Sequence, residues 1–251
     1  MDKVKLGSKT AKAGFQNEKD VISRFNNWKV DEVSQQWLGI MGYSLSDIEY
    51  VRAIKILGSY KADIQVQVTI KLKSEIDCQN IQVKLVSNSS GFNQIDKRWI
   101  DKYVDLWSIP NNIAKLLKHY TGELMPYKTD IKDNRRMFIN EFSIDEQASI
   151  LKFFSENKHM IITDILKGRG KFAAEWMLVI LKNSNNDWVL KPMNVVMNFY
   201  SQGDVKVSKR GSIHIGRITM QRKGGDGGRK TANMLQFKID PTKLLDCKSK
   251  V

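Results

Sequence analysis

Apolar residues recur along this chain with two different periods. In "AKAGFQNEKDVISRFNNWK", Phe15, Ile22, Phe25 and Trp28 fall at helical spacing, so one face of an amphipathic helix collects them. A second helix is expected over Val30–Ile40. The period then drops to two. In "DIQVQVTIKLK", Ile64, Val66, Val68, Ile70 and Leu72 alternate with Asp63, Gln65, Gln67, Thr69 and Lys71, which is the pattern of a half-buried strand. "VRAIKIL" (51–57) precedes it across an expected turn at Gly58-Ser59. "NIQVKLV" (80–86) follows, with Ile81, Val83 and Leu85 on one side and Gln82, Lys84 and Val86 on the other. These three segments predict an antiparallel meander. After a polar loop, Ser87–Lys97, "KRWIDKYVDLW" and "NNIAKLLKHY" read as two amphipathic helices.

The second half continues as mixed α/β. "SIDEQASILKFFSENK" opens on Ser143-x-x-Glu146, a capping box that starts a helix. "HMIITDIL", "AEWMLVIL" and "WVL" read as strands, and "PMNVVMNFY" as a short helix with Pro192 at its start. From "RGSIHIGRITMQRK" to "NMLQFKID" the pattern gives two strands around a Gly-rich basic loop. The expected organisation is a catalytic core over 1–121 and a second lobe over 122–251 that completes the sheet. A single domain is the alternative.

Composition narrows the partner. The chain has 251 residues, 41% hydrophobic and 27% charged, the balance of a globular protein. Lys and Arg outnumber Asp and Glu by 41 to 27, a net charge of +14. Such an excess points to a polyanion, nucleic acid before anionic membrane. No run of 18 apolar residues spans a membrane, and the N-terminus lacks an apolar signal core. Cys78 and Cys247 lie far apart with no metal spacing, which suits a reducing compartment. The expected location is the cytoplasm. His119, His159 and His214 are scattered, and no GxSxG, GxGxxG, HExxH or CxxC occurs.

Metal-dependent phosphodiester hydrolysis requires a carboxylate, further oxygen ligands and often a lysine near the attacking water. Strand residues i and i+2 point the same way, so Gln82 and Lys84 converge. Asp63 opens a neighbouring strand on its polar parity. Asp63, Gln82 and Lys84 thus form a variant of the PD-(D/E)xK constellation with glutamine in an acid's place. The same residues also describe ordinary sheet. Gln221/Lys223 and Gln236/Lys238 repeat the Gln-x-Lys spacing without a matching Asp-led strand, Asp204 being the nearest acid. Glu18 is a helix-borne second acid or a solvated helix charge. In the loop, the amides of Asn88, Asn93 and Gln94 and the ammonium of Lys97 suit base edges. Phe92 either inserts between bases or anchors the core. A second basic stretch, 209–230, holds Lys209, Arg210, Arg217, Arg222, Lys223, Arg229 and Lys230 against Asp226 alone. Its "RKGGDGGRK" either lets backbone approach phosphates or is a solvated hairpin.

Several long stretches carry a resemblance: "LGSKTAKAGFQNEKD", "NIQVKLVSNSSGFNQIDKRW", "HYTGELMPY", "DNRRMFINEFS", "TDILKGRGKFAAEW" and "RGSIHIGRITMQRKGGDGGRKTANMLQFKIDPT". Together they resemble the HinP-type type II restriction endonucleases of the PD-(D/E)xK superfamily, which cleave GCGC. The resemblance implies a restriction-endonuclease-like α/β core, a mixed central sheet flanked by helices, with an appended C-terminal lobe. It implies a Mg²⁺-dependent site-specific endonuclease acting on double-stranded DNA, with Mn²⁺ as a substitute metal and 5′-phosphate and 3′-hydroxyl products. It places the catalytic aspartate on Asp63 and the QxK element on Gln82 and Lys84. Asp63, Gln82 and the Val83 carbonyl would hold metal, with Glu18 as a further candidate. DNA would be met by Asn88, Phe92, Asn93, Gln94 and Lys97, with Arg217, Arg222, Lys223 and Arg229 from the basic stretch. No small-molecule cofactor is expected. A cognate methyltransferase is a functional but not a physical partner, and a homodimer is left open. Two other readings are a structure-selective repair or recombination nuclease and a non-catalytic basic DNA-binding module.

Overall fold

The computed structural model describes residues 3–58, 60–70, 75–87, 91–182, 187–225 and 228–246. Ser59, Leu72, Asn88, Asp226 and Cys247 lie outside them. The chain begins with α1 (Lys3–Asn26), α2 (Glu32–Ile40), β1 (Ile48–Lys55), β2 (Ile64–Ile70), β3 (Glu75–Val86) and β4 (Asn93–Arg98). Then come α3 (Ile100–Trp107), α4 (Asn111–Thr121), α5 (Ile144–Glu156) and α6 (Lys158–Leu166). β5 (Trp176–Leu181), β6 (Trp188–Pro192), α7 (Met193–Ser201), β7 (Val205–Val207), β8 (Ile213–Ile215), β9 (Ile218–Arg222) and β10 (Leu235–Ile239) complete it. Two compact units result, each discontinuous in sequence: 5–91, 166–197 and 240–251 form one, and 1–4, 92–165 and 198–239 the other. The boundary expected at 121/122 falls inside the second of these.

The first unit is built on a mixed sheet ordered β1-β2-β3-β5-β6. The predicted meander is present: β1, β2 and β3 pair antiparallel, and β3 pairs parallel with β5. Ile64, Val66 and Val68 meet Ile81 and Val83 in a buried cluster covered by Val21, Phe25 and Trp28 from the N-terminal segment and by Trp37 and Leu38 of α2. α1 is tied to the sheet where Asn26 brackets Ala53. Its side-chain oxygen accepts from the Ala53 N–H at 2.7 Å and its amide donates to the Ala53 carbonyl at 3.4 Å. Asp31 caps α2 by accepting from Ser34 N–H at 2.8 Å. Phe15 departs from its expected place in the core and is largely exposed.

The second unit carries an antiparallel sheet ordered β4-β10-β9-β8-β7. One face is apolar: Ile213, Ile215, Ile218, Met220, Leu235, Phe237 and Ile239 are fully buried. Tyr103 and Trp107 of α3 stack at 4.6 Å and meet Phe237 edge-on, and Tyr120 of α4 donates to the Met220 carbonyl at 3.2 Å. The segment expected as one strand through "SIHIGRITMQRK" is the hairpin of β8 and β9, and β7 adds a strand the pattern does not show; two further elements differ in type. Residues 93–97, expected in a loop, and Arg98, expected in the following helix, form strand β4 because β10 supplies backbone partners along it. Residues 158–166, expected as a strand, form helix α6. Its Ile161, Ile162, Ile165 and Leu166 are buried, a stripe at i, i+1, i+4 and i+5 that only a helix places on one side. The capping box of α5 forms as expected, with Ser143 accepting from Glu146 N–H at 3.2 Å and Glu146 accepting from Ser143 N–H at 2.8 Å. Among the described residues no helix is long and apolar enough to cross a membrane.

Candidate active site

Asp63 sits immediately before β2, where that strand ends and β3 continues past it. The register Ile64↔Ile81 puts Asp63 opposite Gln82. Its N–H donates to the Ile81 carbonyl at 2.9 Å, and its carboxylate accepts from the Val83 N–H at 2.7 Å. The aspartate side chain therefore continues the ladder where backbone pairing stops. A strand residue directs its N–H and C=O to the same neighbour, so the Val83 carbonyl also faces the Asp63 side.

Gln82 is only 2% exposed. Its amide N–H donates to the Lys61 carbonyl at 3.0 Å, which fixes the side chain and settles which end points where. The other end, Oε1, is buried with no hydrogen-bond partner among the described residues. A buried orphan acceptor of this kind costs about 1–3 kcal/mol unless something fills it. Beside a carboxylate, an amide oxygen in need of a partner is a fitting ligand for a hard divalent cation. The strand beneath is pinned at Asn80. Its N–H donates to the Glu175 carboxylate at 2.9 Å, its amide donates to the Lys171 and Ala173 carbonyls at 3.0 and 3.2 Å, and its oxygen accepts from Gln65 at 3.1 Å.

The electrostatics centre on Asp63. Burial pushes its carboxyl above the ordinary aspartate range. Lys84 and the Val83 N–H pull it back, Glu18 adds to the push, and Lys55 opposes it. Glu18 is thus close enough to act on Asp63, and it forms an ion pair with Lys55 at 2.7 Å. The Lys55 ammonium also lies 4.5 Å from the Phe15 ring, a cation–π contact that accounts for the exposed aromatic. Asp63 thus lies within electrostatic reach of a second carboxylate and two ammonium groups, with the orphan Gln82 oxygen across the ladder. Lys55 is a site residue that sequence reasoning missed. Its signal was a charge on apolar parity, since the register places it with Val51 and Ala53 on the face of Ile64. Among the described residues no group of three or more His, Cys, Asp and Glu converges.

The base-reading candidates fall in the second unit. Phe92 is 64% exposed, which removes the core-anchor alternative. Asn93, Gln94 and Lys97 belong to β4. On the polar face of this sheet the register aligns two rows: Lys97–Gln236–Gln221, and Gln94–Lys238–Thr219–His214–Lys206. Neither row contains a carboxylate. The Gln-x-Lys repeats at 221 and 236 are thus neighbours on one basic, amide-rich face and not a second catalytic set. Asp204 precedes β7, which β8 separates from β9. Arg217 lies 4.0 Å over Phe199 and donates to Gln202 at 2.5 Å. Arg222 donates to Asn233 at 2.6 Å. The Lys223 carbonyl accepts from Gln236 at 3.3 Å, and Arg229 is exposed.

The model of the R.HinP1I restriction endonuclease family matches residues 41–245 of this sequence. The chain belongs to that family. It is a type II site-specific deoxyribonuclease. Among solved structures, the crystal structure of restriction endonuclease MspI in complex with its cognate DNA aligns over 95% of this chain and 93% of that one, with a TM-score of 0.66 and 13% identity. At that identity the likeness establishes the fold. A comparison with curated proteins gives no match. The α/β architecture of this R.HinP1I family member is therefore that of a restriction endonuclease, and the Asp63–Gln82–Lys84 cluster lies on the sheet of its first unit.

Proposed function

We propose that this enzyme hydrolyses double-stranded DNA at the palindrome GCGC, using Mg²⁺, with Asp63, Gln82 and Lys84 as its catalytic set. The observation that carries the reading is the orphaned Gln82 oxygen beside the Asp63 carboxylate, with Lys84 next in line on the same strand face. Asp63, Gln82 Oε1 and the Val83 carbonyl would hold the metal, with Glu18 completing the set. When bound, Mg²⁺ supplies Lewis-acid stabilisation of charge on the scissile phosphate and favours ionisation of water. Lys84 keeps Asp63 ionised against burial, orients the attacking water and hydrogen-bonds a non-bridging phosphate oxygen. Water oxygen bonds to phosphorus, the P–O3′ bond breaks, and the departing oxygen takes a proton, leaving 5′-phosphate and 3′-hydroxyl ends. Phe92 and the polar rows of the β4 sheet face the DNA, where Gln94 and the lysines match base edges and phosphates. The cognate-DNA complex of MspI supports this partner.

The test is digestion of plasmid DNA by purified protein with Mg²⁺, followed by sequencing of the ends. Discrete fragments ending at GCGC are expected, and none from Lys84→Ala, which still binds the site. Cleavage at junctions or at random supports a structure-selective nuclease instead. A gel shift without cleavage makes the chain a binding module. Cleavage by Lys84→Ala removes the assigned set.

A further inference from the structure

Two stretches have no role in the chemistry above, "HYTGELMPY" and "DNRRMFINEFS", and they meet the strand through "ITMQRK", whose Arg222 the resemblance placed only generally at the DNA. They converge within the second unit. Arg136 lies 4.1 Å over the Phe138 ring and 6.0 Å from Tyr120. Arg222 donates to Asn233 at 2.6 Å, and Asn233 in turn donates to the Gly122 carbonyl at 2.7 Å. Gly122 adopts φ 86°, and a Cβ there would lie 2.7 Å from the Arg135 carbonyl and 3.5 Å from both Arg136 Cβ and Asn233 Oδ1. Glycine is what lets these segments close on one another.

Among the described residues the cluster is short of negative charge. Asp133 takes both hydrogen bonds of Arg135, at 2.8 and 3.0 Å. Arg136 approaches the same carboxylate only to 3.6 Å. Among the described residues, the Nε–H groups of Arg136 and Arg222 are both buried without an acceptor. Three guanidinium groups thus share one carboxylate. Burial, Arg136 and Arg135 all depress the Arg222 guanidinium, and only Asp133 supports it. Buried charge of one sign without acceptors is costly and calls for an anion.

We propose that Arg136 and Arg222 form an oxyanion site for a phosphate group, filled in the working enzyme by a backbone phosphodiester of DNA. Guanidinium forks match phosphate oxygens in pairs, which lysine does not. Ring stacking under Arg136 and the Asn233 bond to Arg222 hold both forks in place before the ligand arrives. The inference rests on the reading that this chain binds DNA, and it is tested in two arms.

In the first arm, duplex affinity is measured by fluorescence anisotropy without divalent metal, across a salt series, with and without GCGC. Arg136→Gln and Arg222→Gln should each weaken binding to both duplexes by roughly tenfold. Each should lower the slope of log K against log salt by about 0.9, the loss of one phosphate contact. Arg136→Lys keeps charge and should keep most of the slope. An unchanged slope in folded Arg136→Gln and Arg222→Gln overturns the DNA assignment. In the second arm, inorganic phosphate is titrated onto DNA-free protein and melting is followed. The wild-type rise should exceed that of either Gln variant. A difference here with an unchanged DNA slope makes the ligand a free phosphate and overturns the backbone assignment. No difference in either arm overturns the site. Should the wild type fail to bind DNA, the proposed function falls while the phosphate arm still decides this site.

Discussion

Asp63→Asn should make the metal-free enzyme more stable while abolishing its activity. The Asp63 carboxylate is held where burial disfavours its charge, and Glu18 adds repulsion. Lys84, the Val83 N–H and Lys55 offset only part of this, since the carboxyl remains above the ordinary aspartate range. Asparagine keeps an oxygen for the Val83 N–H, now bonded at 2.7 Å, and removes the charge. The expected gain is about 1–2 kcal/mol, or a melting rise of about 3–6 °C in a chain of this size. Because folding raises this pKa, the folded state holds the proton more tightly than the unfolded one, and stability falls as pH rises between the two values. The penalty is fully present above the raised value and absent below the unfolded value near ~3.9. The advantage of Asp63→Asn should therefore grow as pH rises through the raised value and fade as pH drops toward about 4. Differential scanning fluorimetry in EDTA across that range measures it. Saturating Mg²⁺ should then reverse the order, since a ligand at a hundred times its Kd adds about 2.7 kcal/mol to the wild type alone. A variant that melts at or below the wild type at pH 7.5 in EDTA refutes the argument.

Gln82→Glu should bind Mg²⁺ more tightly but melt lower in EDTA, by about 2–3 kcal/mol, because it turns a carboxylate toward the Lys61 carbonyl. Paired titration and melting measure both, and a variant as stable as wild type counts against a charge-limited site. Lys55→Met frees Glu18 from its ion pair at 2.7 Å, so Mn²⁺ affinity by calorimetry should rise several-fold, on the order of 1 kcal/mol. Unchanged affinity would show that Lys55 does not compete with the metal. Phe92→Ala should leave melting within about 0.5 kcal/mol of wild type and weaken GCGC binding over random duplex. Equal loss on both duplexes would deny it a part in specificity.

The residues that were legible in the sequence are those whose neighbours follow from parity. Once β2 and β3 alternate, pairing Ile64 with Ile81 places Asp63 opposite Gln82, and Lys84 follows two residues on. Lys55 obeyed the same rule in reverse and was overlooked because a terminal charge on apolar parity looks like a strand end. β4 was hidden for another reason. Asn-Gln-Ile-Asp-Lys-Arg offers one apolar residue, and only pairing with the distant β10 makes it a strand. α6 was misread because its isoleucines favour strands locally, while its burial stripe is helical. The grouping of Arg136 with Arg222 depends wholly on tertiary closure around Gly122, and no spacing announces it.

The glutamine at 82 follows from the same charge balance. The site already holds Asp63 and Glu18 against Lys84 and Lys55, two charges of each sign. Position 82 is almost completely buried and directly across from Asp63. An acid there would add an uncompensated buried charge beside a carboxylate whose ionisation burial already opposes. An amide avoids that penalty. It anchors itself through Lys61 and still presents one oxygen, at the expense of a weaker electrostatic hold on the metal. If the proposed site binds Mg²⁺, glutamine at this position trades metal affinity for stability of the metal-free fold, and Lys84 is the group that most favours ionisation of Asp63.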